Sequence, residues 1–110
     1  MLLLGWAFKK NTNDTRESAA IYVANNLLNK NIEIDIYDPK VKQSQVDLDL
    51  SNINADYDKS LVNFIEEPFL NISKYNIIAI MTEWDEFKDY DWEKFIKKIK
   101  PTYILMDAIS

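Results

Sequence analysis

Hydrophobic positions along the chain fall into short continuous or alternating runs separated by stretches with helical spacing. Leu2-Leu3-Leu4 is continuous and apolar and starts almost at the first residue, so a strand is expected there that would extend further upstream. Over residues 17–30, Ala20, Val23, Ala24 and Leu27 recur at helical intervals. Asp14 stands three residues ahead of Glu17 in the manner of a capping box, with Thr15 as the competing cap. Ile32, Ile34 and Ile36 then alternate with Glu33, Asp35 and Tyr37, which predicts a strand with at least one face incompletely covered, ended by Asp38-Pro39. Between residues 40 and 60 the pattern weakens: Val46, Leu48 and Leu50 alternate with Asp47 and Asp49, and a variable surface excursion is expected. Residues 61–65 read as a short edge strand, and Pro68 with Phe69, Leu70 and Ile72 as a short helix. Residues 77–81 form a continuous apolar run of the kind found in a central parallel strand covered on both faces. Trp92, Phe95, Ile96 and Ile99 predict a helix capped by Asp91, closed by Pro101, with Lys97, Lys98 and Lys100 at its negative end. Residues 103–106 make a last apolar strand that ends at Asp107.

Strands alternating with helices predict a single α/β domain over residues 1–110, a three-layer α/β/α, Rossmann-like unit with a mainly parallel five-stranded sheet in the order 3-2-1-4-5. In that order the first and fourth strands are neighbours where the sheet reverses direction. The loops around Phe8-Lys9 and Thr82-Trp84 would then wall one crevice, the usual ligand position in open parallel sheets.

Composition narrows the chemistry. The net charge of -5 argues against nucleic acid, which calls for a basic face. With no cysteine and no histidine, the chain has no thiolate nucleophile, no zinc-thiolate site and none of the commonest general bases. No catalytic residue and no metal ligand is therefore expected. No apolar run approaches the roughly 20 residues of a membrane span, and a cytoplasmic location is expected.

Against this acidic background the segment 5–18 stands out. It joins the first strand to the first helix and carries Lys9, Lys10 and the only arginine, Arg16, among hydroxyl and amide side chains. Positive charge close to a helix start is anion-binding chemistry, although paired lysines also suit an ordinary solvated surface. Gly5, the only glycine, sits where the strand must turn. The dinucleotide fingerprint G-x-G-x-x-G is absent, because Trp6, Phe8 and Lys10 occupy a loop that would need small residues, and the phosphate-loop spacing is absent as well. Asp38, at the end of the second strand, has two readings: a ribose holder or simply the start of the turn into Pro39.

The segment Gly5-Trp6-Ala7-Phe8-Lys9-Lys10-Asn11-Thr12-Asn13-Asp14-Thr15-Arg16-Glu17-Ser18 closely resembles the G-x-A-F-K-x-x-T-x-D-T-R-E-S motif that opens the C-terminal domain of the UDP-glucose 6-dehydrogenases. Ile36-Tyr37-Asp38-Pro39 and Thr82-Glu83-Trp84-Asp85-Glu86-Phe87 are similar to that family's I-Y-D-P and T-E-W-x-x-F, in the same order. The resemblance implies an oxidation of UDP-glucose to UDP-glucuronate by NAD in a longer enzyme. That enzyme has an N-terminal dinucleotide-binding domain, a helical dimer-forming middle and a UDP-binding C-terminal domain, and only the last corresponds to this chain. By motif, Phe8 and Lys9 would contact the UDP-sugar, and Arg16 would reach towards NAD held by the other domain.

The chain also departs from the pattern. The family nucleophile is a cysteine in a part of the enzyme that this chain does not contain, so the domain alone is expected to be inactive. The family carries Asp-Gly-Arg after the last strand, where the arginine contacts substrate; here Asp107 is followed by Ala108-Ile109-Ser110, and one anchor is expected to be missing. Without the other domains, Trp6, Phe8 or Trp84 are expected to form an exposed apolar patch that promotes self-association. The alternative reading is a stand-alone nucleotide-sugar-binding or interaction module without enzymatic activity.

Overall fold

The computed structural model describes residues 1–68 and 75–93 throughout, and the strand backbone of 103–106. Its centre is a parallel sheet built on β1 (Leu2–Leu4), which pairs on one side with β2 (Ile34–Tyr37) and on the other with β4 (Ile77–Ile80). β3 (Val62–Phe64) lies outside β2, and β5 (Tyr103–Met106) outside β4, giving the order β3-β2-β1-β4-β5. All four pairings are parallel, with Leu3 between Ile36 and Ala79 in register. The α/β class and the parallel sheet agree with the reading of the sequence. Packing as well as backbone pairing fixes the order of the first four strands, whereas β5 is described by its backbone alone. The central strand has no exposed side: Leu2, Leu3 and Leu4 are all fully buried, as a strand covered on both faces requires.

Among the described residues the sheet is accompanied by α1 (Ala19–Asn29), α2 (Gln43–Ile53) and the short α3 (Asp85–Lys88). α1 buries Ala20, Ala24 and Leu28, an i, i+4, i+8 stripe. It starts later than the sequence suggests. Glu17 has a φ of 61°, outside the helical region, so neither Asp14 nor Thr15 can cap the helix; Ser18 does, accepting from the Ala20 N–H. At the other end the chain leaves through a left-handed Asn31, φ 59°, and the Ile32 N–H returns to the Leu27 carbonyl. This is a Schellman closure with asparagine where glycine is commoner, and it pulls Ile32 out of the strand onto the surface.

Two further expectations are corrected. Residues 40–60 are not a loose excursion: α2 buries Val46 and Leu50, four apart, so the apparent alternation with Asp47 and Asp49 was a helical stripe. In β2, Asp35 does not face solvent but is buried, accepting from the Tyr75 hydroxyl and, at 3.0 Å, from Asn63 Nδ2 on the neighbouring strand. A polar residue in a strand therefore marks a satisfied buried group here rather than an open face. Of the helices expected around Pro68 to Ile72 and from Trp92 to Ile99, residues 69–72 and 94–99 lie outside the described residues. Among the described residues no helix is long and apolar enough to cross a membrane.

Candidate functional site

The site is built where β1 runs out. Gly5 has a φ of +100°, and a Cβ placed on it would stand 2.5 Å from both Cβ and Oγ1 of Thr82 and 2.7 Å from the Thr82 nitrogen. The loops after β1 and β4 are thus in direct backbone contact, and only glycine fits between them. The Gly5 N–H donates to the Tyr37 carbonyl at 2.7 Å, and the Thr82 hydroxyl donates to the Ala7 carbonyl at 2.7 Å. The two walls of the expected crevice are therefore joined at their roots, and Lys10 and Asp85 form an ion pair between them, 3.1 Å apart.

Beneath this loop lies Asp38, buried at the end of β2. Its Oδ2 accepts from the Trp6 N–H at 2.7 Å, the Ala7 N–H at 3.0 Å and the Trp84 indole N–H at 3.2 Å. Its Oδ1 accepts from the N–H groups of Lys40 and Val41 at 2.8 and 3.0 Å. A carboxylate offers about four lone-pair positions, and these donors fill them. The ribose reading of Asp38 is thereby overturned; the turn reading is correct but is only part of its role. The Trp6 side chain is held from another direction: its indole N–H donates to Asp49 at 2.9 Å, and Gln45 donates to the same carboxylate at 2.9 Å. Asp49 and Gln45 come from α2. Reading the i, i+4, i+7 series Val46, Leu50 and Ile53 as a helix would have placed both on the face beside that stripe.

The loop tip is different. The Phe8 N–H closes the loop onto the Asp14 carbonyl at 2.9 Å, with Asn11 in the left-handed region at φ 64°. Phe8 is 48% exposed, whereas Trp6 is fully buried and Trp84 nearly so, at 6%. The expected apolar patch thus reduces to Phe8, because the indoles are drawn inward by Asp49 and Asp38. Lys9 is exposed and its ammonium lies 5.5 Å from the centre of the Phe8 ring, a cation-π distance.

Arg16 sits apart from this pair. Its guanidinium grips Asp14 from two nitrogens, the Nη2–Oδ2 contact being 2.7 Å, while the side chain itself is 88% exposed. The Arg16 side chain and its backbone N–H together hold the Asp14 carboxyl at a pKa of about 2, well below its usual range. Arg16 also borders a groove of about 330 Å3 with Glu17 from the loop, Ile21 and Tyr22 from α1 and Asn52 and Ile53 from α2. The structure therefore brings Phe8 and Lys9 together and sets Arg16 on the side of α1 and α2. Of the three cations in the loop, Lys10 and Arg16 are already ion-paired, and Lys9 is in neither pair. Among the described residues no group of acidic side chains is arranged to hold a metal ion. Residues 107–109, where an anchor differs from the expected pattern, lie outside the described residues.

Comparison with known proteins is consistent with this arrangement. The sequence model of the UDP-glucose/GDP-mannose dehydrogenase family, UDP binding domain, matches residues 2–109. UDP-glucose 6-dehydrogenase of Gallus gallus is 42% identical over 106 residues, which cover 93% of this chain and 22% of that protein. The Drosophila melanogaster protein of the same name is 41% identical over 107 residues, with the same coverage. UDP-glucose 6-dehydrogenase 4 of Arabidopsis thaliana is 36% identical over 115 residues. The chain spans between a fifth and a quarter of the length of these relatives. Among solved structures, a UDP-glucose dehydrogenase from Pyrobaculum islandicum superposes with a TM-score of 0.65 over 94% of this chain at 24% identity, which supports the fold.

Proposed function

Because the chain belongs to the UDP-glucose/GDP-mannose dehydrogenase family as its UDP binding domain, we propose that it is the UDP-sugar-binding part of an NAD-dependent UDP-glucose 6-dehydrogenase. In this reading it binds the nucleotide-sugar at the tip of the β1 loop and has no oxidative chemistry of its own. One observation carries the proposal: Phe8 and Lys9 project into solvent from a loop whose root is held by hydrogen bonds from the N–H groups of Gly5, Trp6 and Ala7 and to the Ala7 carbonyl. A fixed root with an exposed aromatic and an exposed cation suits a ligand that has both a flat ring and a diphosphate. The Lys9 ammonium supplies charge to the phosphate oxygens, and Phe8 gives an apolar surface.

The described β1 loop does not form a dinucleotide cradle. The N–H groups of Trp6 and Ala7, which would have to face a pyrophosphate, donate to Asp38 instead. NAD, the hydride acceptor of the complete enzyme, would meet this domain only through the exposed Arg16, whose guanidinium would have to share or leave Asp14 to do so. The oxidation belongs to parts of the enzyme outside this chain, which lacks a cysteine.

Titration with UDP, followed by NMR and calorimetry, tests the reading. Shifts are expected at residues 5–18 and 82–84. Removing a charge-assisted contact worth roughly 1.5 to 3 kcal/mol weakens binding by about ten- to a hundredfold, which is the loss expected for Lys9→Ala. Lys59→Ala, at an exposed lysine in the single 3-10 turn before β3, should leave affinity unchanged. No perturbation of the two loops by UDP at millimolar concentration would refute the site. The purified chain is also expected to show no NAD-dependent oxidation of UDP-glucose, and turnover with contaminants excluded would overturn the assignment of chemistry to other domains.

A further inference from the structure

A buried carboxylate that reaches three loops at once does more than start a turn. Asp38 binds the backbone of the β1 loop at Trp6 and Ala7, the backbone of its own loop at Lys40 and Val41, and the side chain of Trp84 from the β4 loop. Its two contacts in the β1 loop are the two N–H groups immediately before Phe8. We propose that Asp38 is the positioning residue of the ligand loop: it fixes the direction in which Phe8 and Lys9 leave the sheet and links that direction to the β4 loop through Trp84. The proposal rests on the reading of Phe8 and Lys9 as the nucleotide-sugar contacts.

The geometry leaves no substitute for it. Both N–H groups point at a single oxygen, Oδ2, so a neutral amide in place of the carboxylate can satisfy the β1 side or the β2 side but not both. Whichever side receives the amide nitrogen faces donor to donor, and the loop there must move. Thr82, which holds the Ala7 carbonyl at 2.7 Å, and Asp14, which accepts from the Phe8 N–H at 2.9 Å, fix the next peptide plane, Ala7–Phe8, and not the two planes that carry the Trp6 and Ala7 N–H groups.

The test uses the 110-residue chain and two variants, Asp38→Asn and Trp84→Phe, with Leu28→Ala in α1 as a destabilising control remote from the loops. UDP affinity and amide hydrogen exchange at Trp6, Ala7, Phe8 and Lys9 are measured on each. Asp38→Asn is expected to lower UDP affinity at least about tenfold and to speed exchange at Trp6 and Ala7. Trp84→Phe, which removes one donor and keeps an aromatic, should shift the same amides by less, and Leu28→Ala should leave UDP affinity unchanged and speed exchange at buried amides throughout the chain rather than at Trp6 and Ala7 in particular. Should Asp38→Asn fail to fold, Trp84→Phe decides alone. Wild-type affinity and wild-type exchange at Trp6 and Ala7 in a folded variant would overturn the proposal, as would an equal loss of affinity in Leu28→Ala. If the unaltered chain does not bind UDP, the site reading fails, while the exchange rates at Trp6 and Ala7 still decide the role of Asp38.

Discussion

Gly5→Ala tests the root of the site most directly, because the structure gives both terms of its effect. The first is conformational: at φ +100° an alanine is outside the regions open to L-residues, at roughly 1–2 kcal/mol. The second is steric. The new Cβ would lie 2.5 Å from Thr82 Cβ, where ordinary contact begins at 3.4 Å, so the ends of β1 and β4 must part by about 1 Å. That movement stretches the 2.7 Å bond from the Thr82 hydroxyl to the Ala7 carbonyl, and losing it adds about 0.5–1.5 kcal/mol. Together the terms give about 1.5–3.5 kcal/mol against a total of about 5–15 kcal/mol for a domain. At about 4–6 °C per kcal/mol this lowers the melting temperature by roughly 6–21 °C, measured by circular dichroism. Thr82→Ala should not rescue the variant, because Thr82 Cβ and the backbone nitrogen, both in the way, remain. A Gly5→Ala protein melting within about 3 °C of the unaltered chain would refute the close approach of the two loops. Recovery in the double variant would show that the Thr82 hydroxyl alone is the obstacle.

Two further outcomes concern pH. Asp14 has a folded pKa near 2 against a usual 3.8, so the contribution of its pairing with Arg16 is present above about pH 3.8 and lost as pH falls towards 2. A carboxyl titration by NMR should show this, and Arg16→Ala should raise the Asp14 pKa only part of the way to the ordinary carboxylate range, because the backbone N–H of residue 16 still donates to Asp14. At the alkaline end, burial, and after it the carboxylates of Glu86 and Asp35, raise the pKa of Tyr37, Tyr90 and Tyr75 far above the usual 10.0. A raised folded pKa means stability present below pH 10 and lost as pH rises beyond it. Ultraviolet titration should therefore show these three phenols ionising only with unfolding, and a reversible titration near pH 10 in the folded protein would contradict their burial.

Much of the fold was legible in the sequence because local pattern and final environment agree there. Leu2-Leu3-Leu4 and residues 77–81 are apolar without interruption, and they became the inner strands β1 and β4, buried except for the partly exposed Ile77. The loop 5–18 was recognisable from its residues, and Phe8 and Lys9 are exposed at its tip. Elsewhere the pattern was ambiguous at short range. Val46, Leu48 and Leu50 satisfy a period of two, but only Val46 and Leu50 are buried and Leu48 is 54% exposed, so packing of α2 selected the helical alternative. The capping box failed because Asp14 found a better partner in Arg16, two residues away, and the chain reversed at Glu17 before the helix began.

What the sequence determined by itself was the succession of strands and the residue types at the loop tip, since both depend on side chains within one local window. The root of the site depends instead on partners far apart in the chain: Asp38 with Trp6 and Trp84, Gly5 with Thr82, Trp6 with Asp49. Whether Asp38 faces a ligand or the protein's own amides is a matter of which donors arrive at its two oxygens. Only the closing of the parallel sheet, which puts the ends of β1, β2 and β4 side by side, brings those donors there.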